Sequence, residues 1–120
     1  MAEYLSLIGG EWRSTNERYE LKNPYNQELI AVVSRPGPEE ALEAVELADK
    51  AFEATRAMPS WKRAEILQAI AEGIKARHEE LSRTIALEAG KPIKQARGEV
   101  LRAANTFRVA MEEAKRIGGS

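Results

Sequence analysis

The 120-residue sequence contains no cysteine. Disulfides, thiolate metal sites and a cysteine nucleophile are therefore excluded within it. Histidine is almost absent as well. His78 is the single one, and a lone imidazole with no second ligand or nucleophile near it in sequence reads as a core-edge or capping residue. Neither charge is in excess, since 18 basic and 19 acidic residues leave a formal net charge of -1. With both signs spread over every segment there is no basic face for nucleic acid and no acidic tail. No stretch approaches the ~20 apolar residues of a membrane span, and the start lacks a basic region followed by an apolar run. The expectation is a soluble, cytoplasmic protein without nucleic-acid or membrane partners. Aromatic residues are sparse at 6%. Trp12 and Trp61 lack the basic cluster of a base-stacking platform and read as packing residues. There is no internal repeat and no low-complexity tract, and a chain of this length suggests a single core.

What is present begins with short extended segments. Tyr4–Ile8 and Glu11–Arg13 flank Gly9-Gly10, a pair able to take the positive φ values of a tight hairpin turn. Tyr19–Leu21 and Glu28–Val33 are divided by Asn23-Pro24-Tyr25-Asn26, which favours a turn, and the β-branched run beyond it favours a strand. After the linker Ser34–Gly37, Pro38 with Glu39 and Glu40 opens a helix, with acids at the positive end of its dipole. Ala41, Leu42, Val45, Ala48 and Phe52 form its apolar stripe. Pro59 ends it and Ser60 is a candidate N-cap for a second helical region reaching about Ala89. Its stripe is Ile66 or Leu67, Ile70, Ile74, Leu81 and Ile85, and its length predicts a break near Arg77 to Glu79.

The sequence Glu88-Ala89-Gly90-Lys91-Pro92 reads as a sharp corner, with Pro92 at the first helical position of the last helix. Ile93, Ala96, Val100, Ala103, Ala104, Phe107, Met111 and Ala114 make its buried side. Gly98, Arg102, Asn105 and Val109 lie opposite, too small and mixed for a plain solvated face. Gly118-Gly119-Ser120 is placed to cap its end. The segment is thus expected to be mostly α-helical with two short N-terminal β-hairpins, strands over about 4–33 and helices over about 38–117.

These features resemble aldehyde dehydrogenases in collinear order. The matches are Gly10-Glu11-Trp12, Asn23-Pro24, the alanine-rich stretch Ala48 to Phe52, Arg63-Ala64-Glu65-Ile66-Leu67, Leu87-Glu88-Ala89-Gly90-Lys91-Pro92 and Gly98-Glu99-Val100, followed by Phe107 and Ala110. The resemblance implies an α/β parent enzyme in which residues 1–120, as a single segment, form the N-terminal portion of the nucleotide-binding domain. It implies an oxidoreductase in which a cysteine thiolate attacks an aldehyde, hydride passes to NAD or NADP, and a glutamate-activated water releases the carboxylic acid. This chain carries no such cysteine, no oxyanion-hole asparagine after an apolar strand and no glycine-rich dinucleotide loop. Alone it is expected to be inactive, with no catalytic and no cofactor-binding residue. It would be a fragment whose partners are the rest of the parent enzyme, a small-molecule aldehyde and further copies in a homo-oligomer. The alternative is a freestanding helical module that assembles through the same apolar faces.

Two sites follow from the resemblance. Glu88 matches an acidic position that helps bind a structural monovalent cation with backbone carbonyls here near Leu21 and Lys22, an oxygen set suited to a hard cation. The competing reading has Glu88 capping the helix or pairing near Lys91. Arg102 matches an arginine that faces the substrate tunnel in members oxidising anionic aldehydes such as glyceraldehyde 3-phosphate, where a guanidinium fork suits a phosphate or carboxylate. Gly98 and Asn105 leave room beside it. The competing reading is an ordinary helical ion pair with Glu99.

Overall fold

The computed structural model describes residues 2–118. Its chain divides into two compact units, Met1–Ala57 and Met58–Ser120, where length alone suggests one core.

The first unit holds strands β1 (Ala2–Tyr4), β2 (Ser6–Ile8), β3 (Glu11–Arg13), β4 (Glu17–Lys22) and β5 (Leu29–Arg35), then helix α1 (Pro38–Ala57). β2 and β3 pair as the expected hairpin, with Leu7 opposite Trp12. Gly9 (φ 60°) and Gly10 (φ 83°) form its turn, the double positive φ of the type whose twist matches the flanking strands. β4 and β5 form the second antiparallel pair. Asn23 and Asn26 close their connection, accepting on Oδ1 from the N–H groups of Tyr25 (2.9 Å) and Glu28 (3.1 Å), as short amides do in turns. The expected first strand differs. It is interrupted at Leu5, and its first residue, Tyr4, instead ends a separate strand, β1, which joins the open edge of β5 in parallel, giving the order β1-β5-β4. Ala31, flanked on both sides, is fully buried.

α1 starts as its acids predict. The Gly37 N–H donates to Glu40 Oε2 at 2.9 Å while the Ala41 N–H donates to the Gly37 carbonyl at 3.1 Å, leaving fewer orphan groups at the first turn. Its covered side is not the expected stripe. Leu42, Val45 and Phe52 are exposed, whereas Glu43, Ala44 and Leu47 are half-buried. The hairpin decides this, because Arg13 Nη2 on β3 pairs with Glu43 Oε2 at 2.9 Å and Leu47 lies directly against Gly9.

The second unit holds α2 (Ser60–Ala76), α3 (His78–Ala89) and α4 (Ile93–Ala114). The break expected near Arg77 is there: Arg77 leaves helical geometry (φ -104°, ψ 23°) and its side chain donates to both oxygens of Glu80. Three cap expectations are corrected. Ser60 is the first helical residue and Pro59 the N-cap. Pro92, extended at ψ 135°, is likewise the N-cap of α4 rather than its first residue. α4 ends at Ala114 with Lys115 as its C-cap, before Gly118, and Gly119 and Ser120 lie outside the described residues. At both N-caps no side-chain cap hydrogen bond is made, so backbone geometry sets those boundaries, and at the C-cap the Lys115 N–H donates to the Glu113 carbonyl.

The core of this unit is a seam of small residues. Ala96, Val100, Ala104 and Ala114 of α4 are buried, as are Ala64 and Ala71 of α2 and Ser82 of α3. The α4 stripe is as expected except for exposed Ala103. On α2, the alanines are more deeply covered than Ile66 or Ile70, since two helices approach most closely over the smallest side chains. Trp12 (67% exposed) and Trp61 (62%) are not packing residues within this chain. Among the described residues no helix is long and apolar enough to cross a membrane.

Candidate functional site

The corner between α3 and α4 is built from backbone chemistry. Gly90 takes the left-handed conformation (φ 68°, ψ 23°) and its N–H donates to the Ala86 carbonyl at 3.1 Å, the usual way an α-helix is stopped. Pro92 follows with φ -56°, and its carbonyl accepts from the Gln95 and Ala96 N–H groups at 3.0 Å each. Lys91 is thereby set at the head of α4. Its Nζ pairs with Glu99 Oε1. This pair holds the Glu99 carboxyl below the usual carboxylate range, first through the hydrogen bond from Lys91 and further through the positive charges of Lys91 and Arg102.

A second set of contacts ties the start of α3 to α4. Arg97 donates from Nε and Nη2 to the two carboxylate oxygens of Glu79 at 3.0 and 2.7 Å, and the Glu79 carboxyl is lowered chiefly by that bond. His78 Nε2 lies 3.1 Å from the Arg97 carbonyl oxygen, so that nitrogen carries the proton. The single histidine, half-buried, is thus a core-edge residue as expected, and it also bridges α3 to α4.

Between α3 and α4 lies an open groove of about 560 Å³, lined by Ile74, Leu81, Ile85, Val100 and Phe107, with Glu99 and Arg102 as its charged residues. Arg102 is exposed, and among the described residues its guanidinium has no hydrogen bond and no ion pair. The ion pair with Glu99 is therefore not formed. Glu99 had a nearer claimant in Lys91, eight residues back, a spacing that helical periodicity does not flag. The same pairing removes Lys91 as a partner for Glu88, which is exposed near the end of α3. Leu21 and Lys22 belong to the other unit, at the end of β4. The ladder with β5 shifts register between them, and Lys22 Nζ lies 3.3 Å from Glu20 Oε2. Among the described residues no cluster of three histidine, cysteine or acidic side chains is arranged to hold a metal ion, so a metal here would depend on backbone oxygen. Arg97, Glu79 and Lys91 were missed as site-forming residues because their partners are distant in sequence.

The sequence profile of the aldehyde dehydrogenase family matches residues 12–120. The chain belongs to this family. Among curated proteins it is 44% identical over 104 residues to the lactaldehyde dehydrogenase of Methanocaldococcus jannaschii, covering 87% of this chain and 22% of that protein. It is 35% identical over 116 residues to the NADP-dependent succinate-semialdehyde dehydrogenase of Escherichia coli, covering 95% of this chain and 24% of the other. Among solved structures it matches aldehyde dehydrogenase 21 of Physcomitrella patens, in complex with the reaction product succinate, with TM-score 0.94 and 32% identity, over 99% of this chain and 25% of that one. The chain spans about a quarter of the length of these relatives. Its helices and short strands therefore have the geometry of one part of an α/β enzyme.

Proposed function

We propose that this aldehyde dehydrogenase segment is the opening portion of the nucleotide-binding domain of an enzyme that oxidises an aldehyde to its carboxylic acid with NAD or NADP. In this reading Arg102 holds the anionic end of the aldehyde. The observation that carries it is the unpaired guanidinium of Arg102 beside an apolar groove. A fork of parallel donors next to an apolar wall suits a molecule with a charged end and a carbon chain. Two of the relatives give support, since one is named for succinate semialdehyde and another holds succinate. Lactaldehyde, the substrate in the name of a third, has no ionised group, so charge selectivity is the property to measure.

The isolated chain is inactive in this reading, because nothing in its sequence supplies a thiolate for acyl transfer. Its partners are the remainder of a cytoplasmic enzyme, a small-molecule aldehyde and further copies in a homo-oligomer. Ligation of a monovalent cation by Glu88 and the carbonyls of Leu21 and Lys22 is carried over from the resemblance alone. A second reading, a freestanding assembly module, draws on the exposed Leu42 and Val45 of α1, since neighbouring bare apolar side chains on a helix seek a partner.

The test joins residues 1–120 to the remaining three quarters of the E. coli relative and compares kcat/KM for succinate semialdehyde and for a neutral aldehyde of similar size. Arg102→Ala is expected to cost on the order of thirtyfold to a thousandfold with the anionic substrate and little with the neutral one. Equal losses for both would contradict the anchor.

A further inference from the structure

Arg102 sits between two residues spaced to pair with it. Glu99 lies three positions before it and Asn105 three positions after, the separations at which side chains meet on a helix surface. Both are occupied by other cations. Lys91 takes the Glu99 carboxylate from the corner ahead of the helix. Asn105 Oδ1 accepts from Arg108, at 2.9 Å from Nη2 and 3.3 Å from Nε. The Thr106 hydroxyl is turned to the backbone, donating to the Arg102 carbonyl at 3.0 Å. Glu99 Oε1 and Asn105 Oδ1 are thus engaged by other cations, while among the described residues the Arg102 guanidinium makes no hydrogen bond and no ion pair of its own.

We infer that Lys91 is a positioning residue: by engaging Glu99 it keeps the guanidinium of Arg102 open to an external phosphate, sulfonate or carboxylate. The inference rests on the reading of Arg102 as an anion anchor. Without Lys91 the nearest cation to the Glu99 carboxylate is Arg102. A guanidinium pairs bidentately with a carboxylate more readily than with any neutral acceptor, so an arriving anion would first have to displace Glu99. The corner makes the arrangement possible. The left-handed turn at Gly90 and the extended Pro92 place Lys91 at the head of α4, and Glu99 is about 9 Å up the helix from Ile93 at 1.5 Å per residue, within reach of a lysine side chain.

The 120-residue chain, carrying ¹⁵N-labelled arginine, tests this by following the Arg102 Nε–H resonance during titration with inorganic phosphate. Four proteins are compared: the parent sequence, Lys91→Met, Lys91→Arg, and Lys91→Met combined with Glu99→Gln. Lys91→Met is expected to shift the phosphate-free resonance as Arg102 pairs with Glu99, and to weaken phosphate binding about two- to fivefold, the range of a partly exposed ion pair. Adding Glu99→Gln restores both, and Lys91→Arg changes neither. A corner that Lys91 merely packs would not be rescued by neutralising Glu99. An unshifted phosphate-free resonance in Lys91→Met, or no rescue by Glu99→Gln, overturns the inference. If phosphate moves the resonance in no variant, the anchor reading falls and the role given to Lys91 falls with it. The phosphate-free comparison tells that failure from a failure of the pairing itself.

Discussion

Gly9→Ala isolates the contact that seats α1 on the first hairpin. Gly9 and Gly10 both have positive φ, so alanine at either should cost about 1–2 kcal/mol for a left-handed backbone, offset by about 0.4–1 kcal/mol because alanine restricts the unfolded chain. Gly10 has open space where a Cβ would go, whereas a Cβ on Gly9 would stand 2.5 Å from Leu47 Cδ1. Carbon atoms prefer roughly 3.5–4.0 Å, so Leu47 must shift by about 1 Å or change rotamer, which adds about 1 kcal/mol. Gly10→Ala should therefore cost about 0.5–1.5 kcal/mol and Gly9→Ala about 1.5–2.5 kcal/mol. Urea unfolding followed by circular dichroism measures both. Leu47→Ala in the Gly9→Ala background should remove the excess, in the manner of a double-mutant cycle. Equal costs at the two glycines, or an excess untouched by Leu47→Ala, would refute the contact as the element that orients α1.

Overpacking the seam of α4 by Ala104→Leu should destabilise by about 1–3 kcal/mol, while Leu101→Ala on the exposed side of the same helix should change stability by less than about 0.5 kcal/mol; matched denaturation curves decide between them. The carboxyls of Glu79, Glu80 and Glu99 are lowered by Arg97, Arg77 and Lys91 respectively. Depressed values stabilise above the usual value of 4.5, and that contribution fades as pH falls through the folded values. Urea midpoints should thus drop below about pH 4.5, less steeply in Glu79→Gln, and an unchanged slope in that variant would discount the Arg97 contact. Because Leu42, Val45 and Phe52 are bare, the isolated chain should self-associate at high concentration, and Val45→Lys should raise the monomer fraction in sedimentation; a compact monomer of the parent sequence at every concentration would count against this.

Elements whose signals are local were legible before the fold was known. The Gly9-Gly10 turn, the Asn23–Asn26 connection, the Glu40 start of α1, the break at Arg77 and the α4 stripe each depend on residues a few positions apart. What was not legible depends on partners far away in the chain. β1 pairs with β5 because a free edge is available, which no property of Ala2–Tyr4 announces. The periodicity of α1 pointed to Val45 and Phe52, but Arg13 and Gly9 chose the side bearing Glu43 and Leu47. At the candidate site, Arg102 and its spacing to Glu99 were visible. That Lys91 would take Glu99, and Arg97 would take Glu79 across 18 positions, was not, since only the corner at Gly90 and the packing of α3 on α4 bring them together. Trp12 and Trp61 were read as packing residues on composition, yet within this chain their rings have little to pack against.

The most direct measurement is cofactor reduction by two proteins with one aldehyde panel: the 120-residue chain alone, and the same residues joined to the remaining three quarters of the E. coli succinate-semialdehyde dehydrogenase. With no cysteine in its sequence, the chain alone should reduce neither NAD nor NADP, and the joined protein should show aldehyde-dependent reduction. Activity of the chain alone, or a well-folded joined protein with no activity on any aldehyde, would contradict this.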